Sequence, residues 1–453
     1  MFSYAQIARA VHGRQGPGAG GAPRRIVHDS RDVEEGDLFV ALKGEHTDGH
    51  LYLSDVFAKG ASGAIVSNRK AIPPGSENVI VVADTRQALW DLAGAWRGRL
   101  EAVFVGITGT CGKTTTKELL AHLVAGEREV FAAQGNYNTD VGLPLSLLAM
   151  PTTAQVGIFE VGAGKPGEIG PLARLLSPDL AVVTLVGRGH LAGFGDVATV
   201  AREKWDLVRA LPASGTAIVN ADCPELADLA SGWKGRLITF GLDAGALRGR
   251  VVQVSPSLVV ETTTPALHLE SSLLGRHNAT NLLAAAGTAL ALGVSPFSVE
   301  ARSATFRGPP HRLRPVWAPF GLVLDDTYNS NPESMTAALE TLAELDWGGV
   351  TRAFVFGDMF ELGPDAERCH DEILDLALRL GIGPIFPVGD LAAAAARRAT
   401  PADAPGTFVM SQREDLVLRV REALSGRRSV LLVKGSHLLG LGKVVEALTR
   451  LEP

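Results

Sequence analysis

The residues best equipped for chemistry lie in G-I-T-G-T-C-G-K-T-T-T-K, residues 106–117. They sit between the apolar run VFVGI (103–107) and TTKELLAHLVAG, where Leu119, Leu120, Leu123 and Val124 recur at helical spacing. A glycine-rich turn leading from a strand into a helix gathers backbone N–H groups at the helix N-terminus. Unpaired donors and the helix dipole both favour a phosphate there. Gly109, Thr110, Gly112, Lys113, Thr114 and Thr115 therefore read as a phosphate-binding loop. Lys113 adds a positive charge for the terminal phosphates, and Thr114 offers a hydroxyl to Mg2+. The strict pattern places glycine at 107; this chain has Ile107, with the first glycine one residue early at Gly106. The match is to a variant loop. Such a loop alone serves kinases, GTPase switches, motors and ligases alike.

Other residues have suitable types in suitable places. Glu160 ends the run IFEVG, and strand C-terminal ends line the ligand crevice of open α/β sheets. His190, in GRGHLAGFG, follows the next strand at a similar level. Arg312, in HRLRP, supplies a cation that could reach ATP phosphates, and Asp326, after a strand, suits ribose hydroxyls. Asn278 and Asn281 carry amides that either pair with an adenine edge or cap a helix. Lys204, in AREKWDLV, reads by itself as a solvated lysine on an amphipathic helix, because an ammonium ion cannot ligate a metal.

The elements that must position these groups follow from the pattern. From about residue 103, short apolar runs alternate with amphipathic stretches: VGIFEVGAG, EIGPLARLL, LAVVTLV, VATVAREKWDLVRAL. This alternation implies parallel strands with helical crossovers. Residues 236–274 alternate more strictly and read as short antiparallel strands, followed by a helix over about 278–292. FRGPPHRLRP (306–315) reads as a linker. Beyond it GLVLDD, ESMTAALETLAEL, RAFVFGD, ERCHDEILDLALRL, PIFPVGD, EDLVLRVREAL and SVLLVKG renew the rhythm. Before it, IVHDS, DLFVALKG, GAIVS and VIVVA make a smaller α/β unit. The expected fold is α/β with three domains. A central mostly parallel sheet carries the phosphate loop (101–310), flanked by a small N-terminal α/β domain (1–100) and a C-terminal Rossmann-like domain (311–453).

Composition narrows the classes. The 453 residues suit about three domains at roughly 150 each. A formal net charge of −6 argues against a general nucleic-acid binder. Cys111, Cys223 and Cys369 are scattered, which disfavours a disulfide framework or a zinc site and fits a reducing, cytoplasmic setting. The N-terminus has no signal-peptide core, and the most apolar stretch, 282–294, is too short to span a bilayer, so no membrane insertion is expected.

In the form GITGTxGKTTTK the loop resembles that of the Mur ligases, ATP-dependent amide-forming enzymes of peptidoglycan synthesis. The resemblance runs through the chain. DSRDVEEGDLFVALKGEHTDGH (29–50) is similar to the family's UDP-sugar segment, and GRHNATNLLAAAG (275–287) to its adenine-contacting helix start. GNYNTDVGLPLSLL (135–148), DDTYNSNPESMTAAL (325–339), GDMFELG (357–363) and VKGSH (433–437) look like the branch that adds D-alanyl-D-alanine. The resemblance implies UDP-N-acetylmuramoyl-tripeptide and D-alanyl-D-alanine as substrates, joined through an acyl-phosphate at the expense of ATP.

It also implies site roles. Thr114, Glu160, His190 and Lys204 would surround Mg2+, with two ions expected, and Lys204 would carry a CO2-derived carbamate that makes it an anionic ligand. Ser30, Arg31, Lys43, Asp48 and His50 would hold the UDP end. Asn138, Asn329 and Asn331 would line the peptide and dipeptide site, with the C-terminal domain closing over ATP. A monomer is expected. Some positions depart from the family pattern: Gly164 and Lys165 after Glu160, Leu185 and Arg188 before His190, Ala192, Thr139, and His437 where arginine is usual. Lys165 and Arg188 could compensate by adding positive charge. Two alternatives stay open. One is a sister ligase adding diaminopimelate, lysine or glutamate, against which DDTYNSNP and GDMFELG count. The other is a nucleotide switch without ligase activity, against which the UDP-sugar segment counts.

Overall fold

The structure is a computed structural model. It describes residues 2–450 apart from positions 19, 45, 136, 190, 346, 347, 400–406 and 411–413. The chain divides into two compact units. One comprises Met1–Gly106, Arg128–Ala163 and Glu168–Asp179; the other comprises Ile107–Glu127, Gly164–Gly167 and Leu180–Pro453.

In the first unit a five-stranded sheet runs in the order Arg14–Gln15, Val79–Val81, Gly63–Val66, Leu38–Val40, Ile26–Val27. The last four are parallel and correspond to the four apolar runs of the first hundred residues. Phe39, Val56, Ala64 and Val66 pack their core. Arg14–Gln15 adds antiparallel to Val79–Val81; two exposed polar residues gave no strand signal in the sequence. The same unit holds the start of Val103–Thr108 beside Val156–Glu160, which pairs in parallel with Val130–Ala132.

In the second unit Leu180–Val183, Thr216–Asn220 and Arg236–Gly241 are parallel neighbours. Residues 236–274 were expected to be antiparallel throughout. Instead Arg236–Gly241 pairs in parallel with Thr216–Asn220, because the helix Pro224–Ser231 returns the chain to the same end of the sheet. Leu247–Gln253 continues in parallel, and only Leu258–Thr263 and Ala266–Ser271 form the antiparallel meander. The helix expected at 278–292 is His277–Ala291.

The C-terminal part of this unit has five strands in the order Arg314–Ala318, Gly321–Asp326, Ser429–Lys434, Thr351–Gly357, Ile385–Val388. All neighbours are parallel except the first pair. Leu322, Leu324, Val430 and Leu432 face one apolar layer, and Val323, Leu431 and Val433 the other. Burial on both faces explains why these strands read as unbroken apolar runs. The expected linker is cut short at Arg314, where an edge strand begins; an edge tolerates Pro315, which lacks an N–H. Among the described residues no helix is long and apolar enough to cross a membrane.

Candidate active site

The strand Val103–Thr108 delivers the chain into a turn at 109–112, and the helix Lys113–Val124 follows. Gly112 is the N-cap with φ of 85°, and no side chain caps the first turn, which leaves that turn's N–H groups suited to an anion. A Cβ at Gly112 would lie 2.2 Å from Asn281 Oδ1, and one at Gly109 (φ 154°) 2.0 Å from Thr184 Oγ1. The turn is tied to the loop after Leu180–Val183. Thr110 N donates to Leu185 O at 2.7 Å, Gly187 N donates to Thr110 Oγ1 at 3.1 Å, and Thr184 Oγ1 donates to Cys111 O at 2.5 Å. Leu185 therefore serves the loop through its carbonyl, and its departure from an amide side chain leaves that contact intact. Lys113 Nζ folds over the turn and donates to Gly109 O at 2.5 Å, where a phosphate would compete for it. Thr115 is buried in the helix's first turn.

Lys204 does not behave as a solvated lysine. Asp196 accepts from Thr199 N at 2.6 Å and starts the helix Val197–Arg209. Val200, Lys204 and Val208 follow at intervals of four and share the buried stripe. Lys204 is 2% exposed. Burial, and then the charge of Lys113, lower its amine to about 7. Glu160, also 2% exposed, ends its strand in the first unit. His190 lies outside the described residues.

Arg312 stands between two non-glycine residues with left-handed backbone, His311 (φ 60°) and Leu313 (φ 51°). Each such residue costs on the order of 1–2 kcal/mol. The conformation is held by Tyr328 N donating to His311 O at 3.2 Å, Leu313 N donating to Asp326 Oδ1 at 3.2 Å, and His311 Nδ1 against Asp325 Oδ2 at 2.8 Å. It aims the guanidinium at the phosphate loop. Nη2 donates to Thr114 Oγ1 at 3.1 Å, and the guanidinium carbon sits 3.9 Å from the Tyr328 ring centre. Arg312→Ala is expected to weaken ATP binding roughly tenfold to a hundredfold in calorimetry, the range for a lost charged hydrogen bond. Arg312→Lys should recover only part of this, because an ammonium cannot reproduce the planar stack.

Asp326 Oδ2 accepts from Lys434 Nζ at 2.7 Å, and Lys434 also donates to Asn329 O at 3.0 Å. The carboxylate expected at the ribose is thus part of a buried pair that shapes the segment 326–329. Lys434 stands in VKGSH, where the resemblance gave it no role of its own; its signal is a lysine closing the apolar strand SVLLVK. Asn331 caps the helix Pro332–Glu344, with Ser334 N donating to its Oδ1 at 2.9 Å, and its amide lies 3.3 Å from Cys111 Sγ. Asn278 and Asn281 do not cap their helix. Asn281 Nδ2 donates to Asn278 Oδ1 at 2.9 Å, Asn278 Nδ2 donates to Leu274 O at 2.8 Å, and Asn281 backs the phosphate loop. Beside them His277, also given no role of its own, is pushed by burial down to about 4, and its Nδ1 has no hydrogen-bond partner among the described residues.

In the first unit the residues expected at the UDP end divide into two kinds. Arg31 is exposed and paired with Asp29, whose carboxyl it holds down at about 2; Ser30 O accepts from Lys59 Nζ at 2.8 Å. Lys43 and Asp48 face each other in an isolated bridge. Asp48 accepts from His50 N at 3.0 Å and from Nδ1 at 2.6 Å, while His50 Nε2 accepts from Ser67 N at 2.9 Å. Both ring nitrogens of His50 are occupied, so it builds the turn. Asn138 O accepts from Gly162 N at 2.9 Å, which places Asn138 against the segment after Glu160.

Of the departing positions, Arg188 is not free to add charge near a phosphate. Glu333 and Glu372 both pair with it. Ala192 N donates to Glu361 O at 3.3 Å, Thr139 O accepts from Leu143 N at 2.9 Å, and His437 is exposed with its ring 5.9 Å from that of Tyr328. Gly164 O leaves no room for a side chain at Gly193, 2.0 Å from the Cβ it would carry. For Lys165 the structure offers no reason for the change.

Family models match three consecutive parts of the chain: the Mur ligase family catalytic domain at residues 24–97, the Mur ligase middle domain at 107–289, and the Mur ligase glutamate ligase domain at 311–437. The UDP-N-acetylmuramoyl-tripeptide--D-alanyl-D-alanine ligase of Escherichia coli (strain K12) is 33% identical over 431 residues, 93% of each chain. Among solved structures, MurF from Acinetobacter baumannii is similar with a TM-score of 0.88 and 30% identity over 98% of both chains. MurF ligase from Thermotoga maritima in complex with ADP is similar with a TM-score of 0.81 and 26% identity, covering 94% of this chain and 97% of that one. With the glycine-built phosphate loop, the strained arginine aimed at it and matches that run through three successive domains, the chain belongs to the Mur ligase family, in its MurF-type branch.

Proposed function

We propose that this protein is the ATP-dependent ligase that joins D-alanyl-D-alanine to UDP-N-acetylmuramoyl-tripeptide in peptidoglycan precursor synthesis, giving ADP and phosphate. The observation that carries it is Arg312 reaching Thr114, so that the C-terminal segment already engages the nucleotide loop. A carboxylate is a poor electrophile. Phosphorylation by ATP turns its oxygen into a leaving group, the dipeptide amine attacks the acyl-phosphate, and phosphate departs. Phosphoryl transfer needs positioning and charge neutralisation more than covalent help from the protein. Lys113, Arg312 and the first-turn N–H groups of Lys113–Val124 supply both.

The residues suit ATP: two glycines have backbone and space that no side chain could share, beside an uncapped helix start. For Mg2+ the proposed ligands are Thr114, Glu160, His190 and carbamylated Lys204. No group of three His, Cys, Asp or Glu side chains able to hold a metal is found among the described residues, so this set depends on a hydroxyl and on the modified lysine. An amine near 7 supports the modification, because CO2 reacts only with the neutral form. Two Mg2+ ions would neutralise charge on the phosphate oxygens. Asn278, Asn281 and Asp326 are assigned to adenosine by this reading, and Gly109, Thr110, Gly112 and Thr115 to the phosphates. Ser30, Arg31, Lys43, Asp48 and His50 serve the UDP end in a domain spanning 1–100. Asn138, Asn329 and Asn331 serve the peptide ends. Residues 101–310 bind ATP, and 311–453 close over it. The enzyme works as a cytoplasmic monomer, where ATP and nucleotide-linked precursors are found.

The test is phosphate release by purified protein with Mg2+, bicarbonate and the UDP-tripeptide, with and without D-alanyl-D-alanine. Release should require both substrates and yield an amide-linked pentapeptide in the mass spectrum. Turnover with diaminopimelate, lysine or glutamate in place of the dipeptide would move the chain to a sister activity.

A further inference from the structure

The surroundings of Arg188 give it a task. Its backbone N–H donates to Glu333 Oε1 at 2.7 Å, and Nε donates to the same oxygen at 3.3 Å. Nη1 donates to Glu372 Oε2 at 2.8 Å, and Glu372 is itself held by Arg368 at 2.5 Å. Glu333 lies so close to Gly187 that a Cβ there would stand 2.8 Å from its carboxyl carbon. Its second oxygen is enclosed and has no hydrogen-bond partner among the described residues. Arg188 is the cation that meets this carboxylate.

The clasp joins two segments with different work. Residues 184–187 hold the phosphate loop through Thr110 and Cys111. Glu333 belongs to the first turn of Pro332–Glu344, two residues after Asn331, which caps that helix and touches Cys111. The phosphate loop is thereby linked to the segment 329–334 along two routes, Cys111 to Asn331 and Thr110 through Gly187 and Arg188 to Glu333.

We propose that Arg188 and Glu333 are positioning residues that lock the acceptor segment 329–334 to the phosphate loop, so that the dipeptide amine is presented only against an ordered nucleotide site. The proposal rests on the ligase reading above and adds residues to it. A single enclosed carboxylate oxygen predicts an asymmetry. Removing the cation strands a charge, whereas removing both charges does not.

The experiment measures steady-state constants for all three substrates with wild type, Arg188→Ala, Glu333→Gln and the double variant, together with thermal midpoints. Arg188→Ala should raise KM for D-alanyl-D-alanine about tenfold, with kcat within about threefold and KM for the UDP-tripeptide unmoved. Adding Glu333→Gln should restore that KM to within about threefold of wild type, because the amide carbonyl can still accept from the backbone N–H at position 188. Wild-type KM for the dipeptide should also rise with salt, and that of the double variant should not. Equal increases in all three KM values, or a double variant worse than Arg188→Ala, would overturn the clasp. A wild type that forms no pentapeptide would instead sink the ligase reading.

Discussion

Lys204→Ala is expected to lower turnover roughly 10^3-fold, the size seen when one preorganised charge is removed from a reacting centre, while nucleotide binding survives. The reason lies in the lysine's surroundings. It sits on the apolar stripe of Val197–Arg209, 2% exposed, and burial together with Lys113 brings it to about 7. As an ammonium it would be a second cation beside Lys113; carbamylation would turn it into an anion. Wild-type activity should therefore fall in CO2-stripped buffer and return with bicarbonate, more completely as pH rises through about 7. The alanine variant should ignore bicarbonate. Carbon-13 NMR with labelled bicarbonate should show a carbamate signal in wild type alone. Full wild-type turnover without CO2 would rule the modification out.

The same lysine has a stability signature. The unfolded lysine keeps its proton up to 10.5, whereas the folded one sheds it at about 7. The unfolded state binds more protons between these values, so unmodified protein gains stability as pH rises from about 7 towards 10.5, and the full penalty is present below 7. Lys204→Met should raise the thermal midpoint most at low pH, with the gain shrinking above neutrality.

Gly112→Ala is the second large effect expected: loss of nucleotide affinity by about a hundredfold or more, from strain and displacement together. At φ of 85° an alanine is strained, and its Cβ would lie 2.2 Å from Asn281 Oδ1. That amide cannot retreat easily, because its Nδ2 donates to Asn278, whose own Nδ2 donates to Leu274 O. Either the N-terminal turn of Lys113–Val124 or that of His277–Ala291 must shift. Calorimetry with ADP reads the loss, and adding Asn281→Ala should recover part of it by opening space. Unchanged ADP affinity in Gly112→Ala would mean that this turn does not hold the phosphates.

Much of the site was legible because some chemistry is local. A glycine-rich turn between an apolar run and an amphipathic helix specifies backbone and charge within twelve residues, and Lys113 and Thr114 fell where the spacing put them. Parallel strands buried on both faces announced themselves as continuous apolar runs. Strand direction after residue 236 was misread, since Arg236–Gly241 has the same local character in either orientation; the helix Pro224–Ser231 settles it. The edge strand Arg14–Gln15 has no apolar signal and exists through its neighbour.

By itself the sequence determined the phosphate loop, the family resemblance and the α/β rhythm, because these depend on neighbours a few residues apart. Tertiary structure alone decided what each polar group has left to offer. It turned Lys204 inward, set Ser67 N–H against the ring of His50, brought Asn281 behind Gly112 of the phosphate loop, and closed Arg188 onto Glu333 across 145 residues of chain. The free energy of a charge or an amide depends on its burial and partners, and those partners come from distant parts of the chain that only folding brings together.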